Sequence, residues 1–298
     1  MGILFAFVSA FAFSISYIFI QKGMKTSKGD NGLFITILMN VLTLSILFLI
    51  FIFIKHPFPP FSLSGILFFV LAGFLTTFLG RATLFASIRK MGSSKAVAIK
   101  NTAPLFTVMS AIFLIGENIS LWGGIGICIL LSALFIQARN DYIQADKNEE
   151  GTRNKIGLLL AVASAVSFGI GHLVRKQGIL LYADPVVGSL IGSVLALLAF
   201  VVTESWNKRL GVIVKSNVTS INFFFIMAGI VTSLAQLSFF IAIFYTNVSY
   251  VSVIAATEPV LTVFLCKLFL NLEEKISIRL GITACVIFLG SCMVVLGK

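Results

Sequence analysis

Ionisable side chains inside the apolar stretches of this chain are few, and they are where its chemistry must be sought. Glu258 lies in VSVIAATEPVLTVFL, about ten residues from either end of an apolar segment covering 249–270. At ~1.5 Å of rise per residue, a helix there puts Glu258 near the midplane of a bilayer. A charge at that depth costs several kcal/mol and is a functional candidate by default. Pro259 follows directly. Its ring removes a backbone donor and frees the carbonyl four residues back, that of Ala255, for a ligand or water. A carboxylate so placed can bind a substrate amine or exchange a proton. The plain alternative is a structural ion pair with a basic residue.

Lys100 sits in SSKAVAIKNTAPLF, four residues before Pro104. Counted from the start of its segment it is roughly 6–9 Å deep. Arg81, on the preceding segment, lies at about the same depth below the same face. The two can line a site for an anionic substrate group, or one can pair with Glu258, or both can snorkel to headgroups. His172 lies toward the far face of its segment and reads either as a proton relay or as a hydrogen-bonded packing residue. Arg175 and Lys176 end that segment and read as interfacial. Asn101, Thr102, Gln236 and Thr257 can complete a binding site. Thr102 and Thr257 sit close to the prolines and can equally bond back to their own backbone.

Ten apolar segments must position these residues: about 3–21, 33–54, 63–87, 96–115, 121–138, 156–174, 185–203, 220–244, 249–270 and 278–297. The chain is 58% hydrophobic and only 11% charged, where a soluble protein carries roughly 25% charged residues. The apolar runs approach or exceed the ~20 residues that span a bilayer, and the thirty Phe suit a lipid-facing surface. The first segment has no basic leader and no clear cleavage site, so it is not read as a signal peptide. Cys128, Cys266, Cys285 and Cys292 share no metal-ligand spacing and read as small packing residues. Gly123, Gly124, Gly126, Gly281, Gly290 and Ser291 allow close helix approach in segments five and ten, within one molecule or across a dimer.

The segments form a repeat. Residues 2–23, GILFAFVSAFAFSISYIFIQKG, match residues 157–178, GLLLAVASAVSFGIGHLVRKQG, at eight of 22 positions without a gap. His172 then stands where Tyr17 stands in the first copy, and Thr102 matches Thr257. Ala72-Gly73 aligns with Ala228-Gly229 and Pro104 with Pro259. The expected organisation is a first five-helix repeat over 1–138, a polar linker over 139–155 and a second five-helix repeat over 156–298. An odd number of helices per repeat sends the second copy into the membrane from the opposite side, giving an inverted-topology duplication. The fold class expected is an all-α integral membrane protein of ten transmembrane helices.

The connections after the odd-numbered segments hold fifteen Lys and Arg against four on the other side. By the positive-inside rule this places both termini outside. The net charge of +11 then reflects contact with a lipid bilayer carrying anionic headgroups rather than with nucleic acid, for which no clustered basic surface exists. There is no glycine-rich phosphate loop, no GxSxG and no HExxH, so neither an enzyme nor a bound metal or other cofactor is expected.

The paired halves, together with Ala103-Pro104-Leu105-Phe106 and Leu114-Ile115-Gly116-Glu117 in one and Glu258-Pro259-Val260-Leu261 and Asn271-Leu272-Glu273-Glu274 in the other, carry a resemblance over nearly the whole chain. The sequence resembles EamA-type members of the drug/metabolite transporter superfamily. The resemblance implies a ten-helix secondary transporter with a central cavity between its halves, moving amino acids, sugars, nucleotide derivatives or other metabolites, often outward. It also implies cytoplasmic termini, opposite to the charge count, and orientation stays open. The first segments lack the carboxylate that small multidrug-resistance relatives use for proton exchange.

The expectation is a multi-pass plasma-membrane transporter, monomeric or homodimeric. It would export a small polar metabolite such as an amino acid by alternating access, with Glu258 and Lys100 opposite the charges of a zwitterion. The alternatives are a flippase for a lipid or lipid-linked sugar, and a non-transporting scaffold or sensor, for which no output domain is visible.

Overall fold

A computed structural model describes residues 1–26, 32–54, 59–91, 96, 99–146, 151–219, 221–255, 257 and 258, and isolated positions from 261 to 296. Among these, all regular structure is helical: α1 (Gly2–Thr26), α2 (Leu33–Phe53), α3 (Leu63–Ala72), a π-helical stretch (Gly73–Gly80), α4 (Arg81–Met91), α5 (Ala103–Ile115), α6 (Leu121–Asp146), α7 (Gly151–Leu181), α8 (Pro185–Trp206), α9 (Leu210–Thr219), α10 (Phe223–Tyr245) and α11 (Val248–Ala255). Among the described residues, six stretches are long and apolar enough to cross a membrane: Gly2–Met24, Leu33–Phe53, Leu63–Ile88, Lys155–Leu181, Pro185–Trp206 and Phe223–Tyr245. Ala103–Ile115 and Leu121–Ala133 are shorter apolar helices. Most of the ninth and tenth expected segments, Pro259 included, lies outside the described residues.

The helix ends are closed by local chemistry. Ser62 Oγ accepts from the Gly65 amide at the start of α3, and Asn222 Oδ1 from the Phe224 amide at the start of α10. Asp184 Oδ1 accepts from the Val186 and Val187 amides, with Pro185 in the first turn of α8. These satisfy donors that would otherwise be orphaned. α5 ends at Gly116 in the left-handed region (φ 62°), and the Glu117 amide reaches back to the Ala111 carbonyl. The Glu117 carboxylate then caps a distant helix. It accepts from the Val248 and Ser249 amides and from Ser249 Oγ at the start of α11.

Two departures from the sequence reading concern segment ends. The stretch expected as a linker is largely helical: α6 runs on to Asp146 and α7 begins at Gly151. α7 also continues past 174 to Leu181, so Arg175 and Lys176 lie inside a helix instead of at its end. Lys176 Nζ donates to the Ile243 and Thr246 carbonyls at 2.6 and 2.9 Å, a cation on the C-terminus of α10.

The packing inverts the pattern of a soluble protein. Phe53, Phe113, Trp206 and many other large apolar side chains face outward, whereas Ser9, Ser14, Ser16, Thr76, Ser164 and Ser193 are buried. In lipid, helix contacts rest on small residues and hydrogen bonds. Phe are not confined to the outer face: Phe69, Phe225, Phe239 and Phe240 are fully buried. Cys128 is exposed instead of packed inside; the other three cysteines lie outside the described residues. Gly290 lies against Leu130 and the Gly126 carbonyl of α6, an intramolecular approach.

α1 packs along α10, and α7 along α3, the π-helical stretch and α4. Ser9 Oγ donates to the Ala235 carbonyl at 2.9 Å, and Ser164 Oγ to the Gly80 carbonyl at 2.8 Å. Donor and acceptor numbers each shift by 155 between the two bonds. The first helix of each sequence repeat is thus tied to the third segment of the other.

Candidate functional site

The Lys100 ammonium lies where the two halves meet. It is 9% exposed. Its Nζ donates to Glu258 Oε2 at 3.2 Å, to Tyr17 Oη at 3.1 Å and, more weakly, to Asn101 Oδ1 at 3.5 Å. The Tyr17 and Phe168 rings lie 5.4 and 5.3 Å from it, within cation–π range. Glu258 is 5% exposed, and its backbone carbonyl accepts from Ser14 Oγ at 2.9 Å. Of the alternatives for Lys100, pairing with Glu258 is therefore the one adopted.

Local sequence puts these groups there. The backbone turns at Asn101 and Thr102, and α5 starts with Pro104 in its first turn, where a missing N–H is harmless. Lys100 is thus set just before a helix start. Thr102 Oγ1 donates to the Ile99 carbonyl, and Thr257 Oγ1 to the Ile254 carbonyl, each at 2.7 Å. Both threonines are turned onto their own backbone, 155 residues apart. At the position matching Ser14, Gly169 leaves no room for a side chain: a Cβ there would lie 2.8 Å from the Ala103 carbonyl.

The pair borders a cavity of about 60 Å³. α1 contributes Phe13, Ser16 and Tyr17. The π-helical stretch and α4 contribute Thr76, Thr77 and Arg81. α7 contributes Phe168, His172 and Arg175, and α10 contributes Thr232, Gln236 and Phe239. Six of the candidates named from sequence therefore meet at one cavity: Tyr17, Arg81, Lys100, His172, Gln236 and Glu258. Asn101, Thr102 and Thr257 do not line it.

His172 stacks on Phe239 with ring centres 4.4 Å apart, and its buried Nδ1 has no partner. Gln236 Nε2 donates to the Ser189 carbonyl at 3.1 Å and to Ser193 Oγ at 2.9 Å; its buried Oε1 has no partner. Ser16 Oγ and Thr232 Oγ1 share a hydrogen bond of 2.6 Å. Such back-to-back pairing keeps these buried hydroxyls satisfied.

The sequence reading missed Arg175 as a cavity residue. A basic residue followed by Lys176 at the end of an apolar stretch reads as interfacial. The structure buries Arg175 to 4% exposure. Its guanidinium lies 5.6 and 5.0 Å from the Phe239 and Phe240 ring centres and donates to Thr76 Oγ1. No sequence signal announces this, since the rings come from a helix some sixty residues on. Thr77 and Thr232 also went unnoticed, although their spacing of 155 matches the repeat.

A bundle of membrane-crossing helices around a central cavity with charged and polar side chains in its lining has the build of a multi-pass membrane transporter. The chain belongs to the EamA-like transporter family, whose sequence model matches residues 1–138 and again 155–296. Members of this family are transporters, not enzymes. No curated protein matches the chain. A crystal structure described only as that of a protein is 15% identical over 99% of this chain and 96% of its own, with a TM-score of 0.71. That likeness carries the fold alone.

Proposed function

We propose that this chain is a secondary active transporter of the plasma membrane that exports a small polar metabolite such as an amino acid by alternating access. Its ten transmembrane helices form two inverted five-helix repeats, and the repeats rock about the cavity. The Lys100–Glu258 contact carries this reading. One partner comes from each half, at 3.2 Å, beside a buried cavity lined from both. A link of this kind must reorganise when the halves move apart, which makes it a natural point for solute to act. The match of the family to each half in turn and the reciprocal serine bonds support the two-fold arrangement.

The test is transport of labelled metabolites, amino acids first, by the purified chain in proteoliposomes. Glu258→Gln and Lys100→Met should each abolish transport while expression is maintained. Transport retained in both variants would remove this pair from the mechanism.

A further inference from the structure

We infer that the transported solute carries a net negative charge, an acidic amino acid or another small organic anion, and that Arg81 and Arg175 hold its carboxylate or phosphate group. This rests on the transporter reading above and narrows it. Three cations line the cavity, Arg81, Lys100 and Arg175, against the single carboxylate of Glu258. Lys100 takes up that carboxylate. Neither arginine has a carboxylate partner among the described residues.

The sequence leaves few acids to supply one. Of its eleven Asp and Glu, Glu117 and Asp184 are engaged as helix caps. Glu204 is in the last turn of α8. The remainder, Glu258 apart, fall in or beside the polar connections.

A buried guanidinium without a counterion is rare, because desolvation goes uncompensated. Arg175 is such a group, at 4% exposure, and its Nε finds no acceptor. The Phe239 and Phe240 rings attract the charge without satisfying its N–H groups. Arg81 borders the same cavity, makes no hydrogen bond or ion pair among the described residues, and adds a second positive charge to the lining beside that of Arg175. An anion between them would accept the unmet N–H groups and offset the positive charge, and arginine suits carboxylate and phosphate geometry. A cationic solute would meet the opposite field. A cavity of about 60 Å³ has room for a handful of waters at ~10–15 Å³ each, which favours a small solute.

The experiment is thermal unfolding of the purified full-length protein at matched ionic strength with glutamate, lactate, inorganic phosphate, alanine or ethylammonium. Transport of the same five is measured in proteoliposomes. At least one anion should stabilise and be transported, with its apparent affinity weakened about 10- to 100-fold in Arg81→Gln and in Arg175→Gln. If Arg175→Gln fails to fold, Arg81→Gln decides alone. Transport of alanine or ethylammonium that is untouched by Arg81→Gln would overturn the anion assignment and leave the transporter reading intact. A parallel unfolding run adds phosphatidylglycerol to the detergent; stabilisation by it but by no soluble anion would assign the arginines to a lipid headgroup and overturn the soluble solute. No binding and no transport of any probe would overturn both readings.

Discussion

Removing one member of the Lys100–Glu258 pair should damage the protein more than removing both. The side chains are 11% and 7% exposed and 3.2 Å apart. At such burial, deleting one partner leaves an uncompensated charge and costs about 3–5 kcal/mol. Lys100→Met takes the cation away from the Glu258 carboxylate, and Glu258→Gln leaves the ammonium with Tyr17 Oη and Asn101 Oδ1 but no anion. The double variant removes both charges and desolvates neither. Its loss should fall well below the sum of the singles, with a coupling of about 2 kcal/mol or more. Denaturant unfolding in detergent, run as a double-mutant cycle, measures this. Transport separates fold from function: the double variant should be nearly as stable as the parent yet inactive. Additive losses across the cycle would refute the coupling. A stable double variant with full transport would show that the pair only holds the halves together.

Further outcomes follow from contacts away from the cavity. Lys176→Met removes two bonds to the end of α10 and should lower stability by about 1–2 kcal/mol, with substrate affinity unchanged in a binding titration. Glu117→Ala uncaps α11 and should cost about 1–2 kcal/mol by the same unfolding assay. Ser9→Ala and Ser164→Ala each delete one inter-helix bond; each should cost about 1 kcal/mol, and the two losses should agree within about 0.5 kcal/mol.

The parts of this protein legible in the sequence are those that depend on local pattern. Hydropathy locates the membrane-crossing helices, because a bilayer demands long apolar runs whatever their neighbours. The segment read as one run over 96–115 instead turns at Asn101 and Thr102 and restarts with Pro104 in the first turn of α5, where a ring loses nothing. The pairing of Lys100 with Glu258 was visible only as one option among three, since their separation of 158 residues leaves the choice to tertiary structure. Arg175 was illegible for the same reason. Its sequence neighbours resemble an interface, while its actual environment is two aromatic rings of α10 and a threonine of the π-helical stretch. The polar stretch around 139–155 falls between the two family matches, but its low hydropathy did not show that helix continues into it: it holds no proline, and α6 carries on through its first half.

The repeat itself explains why the site is where it is. Positions 155 apart fall into two groups. Ser9 and Ser164 make equivalent bonds, and Thr102 and Thr257 make equivalent bonds. These build the frame, and a frame of two like halves is served by like residues. Around the cavity Phe13 with Phe168 and Thr77 with Thr232 keep the correspondence, but the charged positions and the Tyr17–His172 pair do not. Lys100 matches Ala255, Glu258 matches Ala103, Arg81 matches Gln236, and Tyr17 matches His172. A solute with its charge at one end is itself asymmetric, and two equal half-sites would hold it equally well in two orientations. Replacing one of each pair of charges by a neutral residue fixes a single orientation. It also leaves one ion pair bridging the halves instead of two, so less electrostatic work opposes their separation. Installing the missing pair, Ala103→Glu with Ala255→Lys, tests this. Each new side chain would stand at the position matching a native member of the pair. The variant should be at least as stable as a control carrying Gln and Met at the same two positions, and it should transport more slowly. Transport at the parental rate in a variant more stable than that control would show that opening the bridge does not limit the cycle.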